Sequence, residues 1–137
     1  MHEDRTGTIW IGTDGAGLNK FDKNKKKFIR YINNPNQKNG LSNNRIHSIC
    51  EDSSGYLWIG TEGGGLNLFK YENAIFTRYM NDPNDSNSLS NNNVKVIYED
   101  NNHNLWIGTD GGGLNLFNRE TKSNPSCHLD IQPSIGW

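Results

Sequence analysis

Three acidic residues, Asp14, Glu62 and Asp110, stand 48 residues apart, each directly ahead of a run of small residues such as Gly63-Gly64-Gly65. Amide pairs recur at the same interval, Asn43-Asn44 and Asn91-Asn92. Carboxylates and amides gathered on loops suit the hydroxyls of a sugar, since both kinds of group hydrogen-bond without demanding a fixed partner. The same residue types also close turns by bonding their own backbone, so a feature present in every copy reads first as scaffold. Positions that change from copy to copy are the better recognition candidates. These are Arg45 against Asn93 and His47 against Lys95, on the strands that leave the same loops.

Other chemistries fit less well. The acid pairs Glu51-Asp52 and Glu99-Asp100 fall at repeated hairpins and read as turn and edge residues, not as the two carboxyls of a glycosidase. No nucleophile has a plausible base beside it, so no catalytic residue is assigned. His2, His47, His103 and His128 lack metal-ligand spacing, and no metal or cofactor is expected. The glycine runs lead into short strands rather than helices and lack a following Lys-Ser/Thr, which excludes phosphate and dinucleotide loops. A net charge of -1 offers no field for a nucleic acid, and the basic run Lys23-Asn24-Lys25-Lys26-Lys27 is not repeated, so it reads as a solvated hairpin tip. Cys50 and Cys127 lie in unlike contexts and give no disulfide framework. No apolar run is long enough to span a bilayer, and Met1-His2-Glu3-Asp4 has no signal-peptide character, so no export or anchoring segment is expected in this stretch.

What must position these loops is a repeat. Trp10, Trp58 and Trp106 are 48 residues apart, and around them recur Gly12, Gly60 and Gly108, the pair Leu41 and Leu89, and the words Leu-Trp-Ile-Gly-Thr and Leu-Asn. A constant period of this size marks one supersecondary unit used again and again. Hydrophobic residues make up 32% of the chain, which confines them to short strands separated by polar turns. Each period holds four strands: one before an Asp-Ser-Ser-Gly type hairpin, one carrying the Trp, one carrying Leu-Asn, and one carrying Phe28 and Tyr31 or Phe76 and Tyr79. The first strand is expected at Thr8 to Thr13. Ile9 and Ile11 point to one side and Trp10 to the other, so the strand needs a packed layer on both faces. Four-stranded meanders stacked face to face predict an all-β fold of β-propeller blades, a partial propeller of about two and a half blades. Alternating meander connections bring the Gly-rich and Asn-rich loops to one end of every blade and the acidic hairpins to the other.

These words closely resemble the two-component regulator propeller repeat: hairpin, Leu-Trp-Ile-Gly-Thr, glycine turn, Leu-Asn, then Ser88-Leu89-Ser90-Asn91-Asn92. The resemblance covers residues 1–122, with copies near 3–50, 51–98 and 99–122; a tail at 123–137 leaves the pattern, since Asn124 and Cys127 stand where Phe and Tyr are due. It implies blades of a seven-bladed periplasmic sensor in a hybrid two-component system of Bacteroidetes type. Such a parent would bind an oligosaccharide and signal to a histidine kinase; this chain would be a non-catalytic part of it. The alternative is a stand-alone repeat module for protein interaction or self-assembly, and a propeller glycosidase or lyase is a remote third. Because uncovered blade faces favour association, self-association is expected as well.

Overall fold

The computed structural model describes residues 1–117, so the tail at 123–137 lies outside the described residues. Strands β1 (His2–Glu3), β2 (Ile9–Gly12), β3 (Leu18–Asp22) and β4 (Lys27–Tyr31) form one antiparallel sheet; β5 (Ile46–Glu51), β6 (Leu57–Thr61), β7 (Leu66–Lys70) and β8 (Ile75–Tyr79) form a second; β9 (Val94–Glu99), β10 (Leu105–Thr109) and β11 (Gly113–Phe117) form a third. Within each sheet every strand pairs with the next in sequence, and the register repeats: Trp10 stands opposite Lys20, Trp58 opposite Leu68, Trp106 opposite Leu116. The fold is all-β and built of propeller blades. The strand expected from Thr8 proves to be second in its sheet, because the two residues of β1 pair with Trp10 and Ile9. So short an edge segment carries no alternation by which sequence could show it.

The sheets stack face to face, with β5 beside β9 and β2 beside β5. Between the first and second sheets lie Trp10, Leu18 and Leu41 from one side and Leu57, Ile59, Phe69 and Phe76 from the other. Between the second and third lie Trp58, Leu66 and Leu89 against Leu105, Ile107 and Phe117. The Trp ring meets the facing Phe edge-on in both, with centroids 5.1 Å apart for Trp10–Phe69 and for Trp58–Phe117. Burying one such indole removes roughly 200 Å² from water, on the order of 4 kcal/mol. Leu41 and Leu89, the apolar residues of the long polar loops, are fully buried and pin those loops to the sheets.

Each Trp is held by an aspartate. Asp52 Oδ1 accepts the N–H groups of Ser54 and Tyr56, closing the hairpin, and its Oδ2 accepts the Trp58 indole N–H at 2.8 Å. Asp4 does the same for Thr6, Thr8 and Trp10, and Asp100 for Asn102, Asn104 and Trp106. The neighbouring glutamates reach back one sheet: Glu51 accepts Arg5 N–H, and Glu99 accepts Ser53 N–H at 2.9 Å. The acid pairs are therefore turn and inter-sheet groups, as their place in hairpins suggests. Gly60 serves the same stacking, since a Cβ there would meet Val94 Cγ1 of the next sheet at 2.7 Å.

Two outcomes follow from the aspartates. Asp52→Ala strands an indole and two amide N–H groups inside the fold and is expected to cost about 3 kcal/mol, read as a drop in the urea midpoint followed by tryptophan fluorescence; a cost below about 1 kcal/mol would contradict this role. The bond from Trp106 and then the Asn104 amide hold the Asp100 carboxyl down to about 2 from an ordinary 3.8. A depressed carboxyl stabilises the fold above its ordinary value and loses that contribution as pH falls towards the depressed one. Trp106 emission is expected to shift between those two pH values, and Asp100→Asn to remove that step.

Candidate functional site at the asparagine-rich end

The site begins from the loop that leads into each inner strand. Its backbone is seized by the previous sheet: the Asn44 carbonyl accepts Gly15 N–H at 3.2 Å and Gly17 N–H at 2.9 Å, and the Asn92 carbonyl accepts Gly63 and Gly65 N–H at 3.1 and 2.8 Å. Gly65 has φ +74°, and a Cβ there would press on the Tyr79 carbonyl, so the latch needs glycine. The Gly-rich and Asn-rich loops thus share one end of the stack. At the other end Lys23 pairs with Glu3 at 2.9 Å and Tyr71 Oη bonds Asp4 at 3.2 Å.

The recurring amides are spent on turns. Asn43 Oδ1 accepts Arg45 N–H and Asn91 Oδ1 accepts Asn93 N–H, while the Oδ1 atoms of Asn44 and Asn92 accept the N–H groups of Asn33 and Asn81. Their acceptors are committed to backbone, which leaves the side chains around them to face solvent.

Those side chains form a line across the end. Arg45 lies between two carboxylates, with Nε 3.5 Å from Asp14 and an NH1 bond of 3.0 Å to Glu62. The Arg45 bond holds the Glu62 carboxyl below its ordinary value, and Glu62 with Asp14 raises the guanidinium in turn. One repeat on, Asn93 occupies the place of Arg45 and donates to Asp110 at 3.3 Å; its Oδ1 is buried without a hydrogen-bond partner. On the adjacent inner strands, His47 Nε2 and Lys95 Nζ come within 3.4 Å. The structure therefore brings Asp14, Arg45, Glu62, Asn93, Asp110, His47 and Lys95 into one polar surface. Two open clefts lie elsewhere along the first long loop, one of about 450 Å³ between Asn36 to Gly40 and Ala74 with Ile75, and neither contains a residue of this line. Among the described residues no group of His, Cys, Asp or Glu is arranged to hold a metal ion.

Sequence reasoning passed over the residues that fix the long loop. Asn67, fully buried, accepts Ser42 N–H and donates to Ser42 Oγ at 2.7 Å, and Asn115 holds Ser90 in the same way. Arg78 donates to the carbonyls of Gly40 and Gln37 at 2.8 Å each. The signal was present in the Leu-Asn word, an amide set in an apolar strand at every repeat.

Since Glu62 is depressed by Arg45, its contribution to stability is present above its ordinary value of 4.5 and lost as pH falls through the lowered one. Arg45→Gln is expected to move the Glu62 titration up towards that ordinary value, read from its carboxyl carbon by NMR. An unmoved midpoint would show that the ion pair does not persist in solution.

Compared with known proteins, the sequence matches the two-component regulator propeller family model at residues 40–63 and 88–111. Three solved structures from B. thetaiotaomicron share its fold at a TM-score of 0.78: one described as the extracellular domain of the hybrid two component system BT3049, at 25% identity over 97% of this chain, and two of BT4673, at 27% over 98%. BT4673 is described once as a hybrid and once as a one component system. The chain spans 19% of the first structure's length and 18% of the other two. No curated protein matches it significantly.

Proposed function

We propose, from the two segments that match the two-component regulator propeller model and from the shared fold, that the chain serves as a non-catalytic part of a periplasmic sensing propeller, whose parent binds an oligosaccharide and passes the change to a histidine kinase. The fold is compatible with the first part, since its blades hold the loops at one end on a rigid scaffold. The observation that carries the ligand reading is the line of polar side chains from Asp14 through Arg45, Glu62 and Asn93 to Asp110, with His47 and Lys95 close to each other on the adjacent strands. Exposed carboxylates, amides and cations of this kind hydrogen-bond sugar hydroxyls. The surrounding carboxylates and cations alternate along the line, which favours neutral polyhydroxyl ligands over strongly charged ones.

The extracellular setting of the similar structures fits a periplasmic place for this chain, and their description as parts of two component systems is compatible with the proposed signalling role. Calorimetric titration of the chain with a panel of neutral and acidic oligosaccharides tests the ligand reading. Binding of a neutral member is expected, with Asn93→Ala and Lys95→Ala each weakening it at least tenfold, about 1.4 kcal/mol. No heat from any sugar, or affinity unchanged in both variants, would overturn it.

A further inference from the structure

The long loop that leads into the second sheet contains the one Asn-Gly step of the sequence, Asn39-Gly40. The second sheet grips this step through its carbonyls: Phe76 N–H donates to that of Asn39 and Arg78 Nε to that of Gly40, each at 2.8 Å. Neither bond engages the Asn39 side chain, which belongs to an exposed residue, or the Gly40 nitrogen. The Gly40 N–H has only a distant acceptor, the Gln37 carbonyl at 3.4 Å. A Cβ at Gly40 would meet Gln37 at 3.5 Å, an ordinary contact, so the fold does not call for glycine here as it does at Gly65. The next repeat bears this out, because Ser88 stands in the place of Gly40, directly after Asn87. There the step is fixed: Ser88 N–H reaches the Asp85 carbonyl at 3.1 Å, and Ser88 Oγ accepts Asp82 N–H at 2.8 Å.

We propose that Asn39 is a site of self-modification, at which the side-chain amide closes on the Gly40 nitrogen while the chain is folded. Hydroxide or a buffer base takes the Gly40 N–H proton, the nitrogen bonds to Asn39 Cγ, and the Cγ–Nδ2 bond breaks with release of ammonia. Water then opens either carbonyl of the imide ring, leaving aspartate or isoaspartate at position 39. Glycine permits the closure because no Cβ crowds the approach and its backbone turns freely. In the isoaspartate product the main chain runs through Cβ and Cγ, longer by one methylene, and the former Asn39 carbonyl becomes a side-chain carboxylate. The spacing that lets Phe76 and Arg78 hold the two carbonyls together is then lost. The loop therefore loosens from the outer edge of the second sheet, next to Leu41, which is buried between the first and second sheets. The corresponding joint at Asn87-Ser88 is spared.

Incubation of the folded full chain in mildly alkaline buffer reads the step, with peptide mapping by mass spectrometry at intervals and isoaspartyl methyltransferase labelling to count the isomer. Asn39 is expected to convert about tenfold faster than Asn87, and within about threefold of its own rate in urea, because the fold leaves the Gly40 nitrogen open to attack. Gly40→Ala, whose Cβ the fold accepts, is expected to slow the conversion about tenfold. In the aged chain the Phe76 N–H exchanges with deuterium faster than in the fresh chain, whereas the aged Gly40→Ala variant shows no such change. A rate at Asn39 no higher than at Asn87, or about tenfold lower in the folded chain than in urea, overturns the proposed modification. Phe76 exchange that is the same before and after isoaspartate forms overturns the loosening of the loop.

Discussion

The rest of the structure depends on one hydrogen bond, from the indole N–H of each repeated Trp to the carboxylate six residues before it, buried at Trp10 and Trp58 and part-buried at Trp106. A Trp needs a polar partner when its ring is taken out of water, and here the partner also closes the turn that brings the Trp strand back. With one carboxylate oxygen on two backbone amides and the other on the indole, the hairpin, the strand register and the ring orientation become a single constraint. The ring then fills the space between sheets, meeting Phe69 or Phe117 edge-on. Asp4 shows how much such a carboxylate bears: burial pushes it up, yet the bonds from Thr6, Trp10 and Thr8 bring it to a net lowering. Its second oxygen also takes the Tyr71 hydroxyl from the following sheet, so turn and interface meet at one group.

Stacking in one direction distributes stability unevenly along the chain. The second sheet is covered on both faces, and all five residues of β6 are buried. The second residue of that strand faces the third sheet while its neighbours face the first, so the same five residues serve two interfaces. The outer strand β4 has four exposed residues of five, although its counterpart β8 is largely covered. Identical positions thus differ in burial by their place in the stack, as expected where each repeat touches only its neighbours.

Much of the fold was legible because the period turns one observation into three. The Trp spacing, the glycines after it and the two-sided apolar strands each have one physical solution, stacked meanders. The loop ends could be placed from meander parity alone, and the latch of Gly15 and Gly17 on Asn44 shows the mechanism. What was not legible has a physical cause in each case. Strand β1 is two residues long and has no pattern. The aspartates looked like ordinary turn residues, since nothing in a sequence says that a turn carboxylate also reaches an indole six residues on. Asn67 and Asn115 looked like odd polar residues in strands, because their partner serines lie 25 residues away.

The candidate site follows from the same arithmetic. A polar group repeated in every copy is called for by the backbone it satisfies: the Asn43 and Asn91 side chains close turns, and the Asn44 and Asn92 carbonyls hold glycine loops. Such groups are occupied before any ligand arrives. A position free of that duty can vary, and it is at Arg45 and Asn93 that the two copies part. Arg45 is balanced by two carboxylates, while Asn93 donates to one. The two equivalent places therefore differ in charge while the scaffold around them recurs, which is why the proposed site is drawn through them.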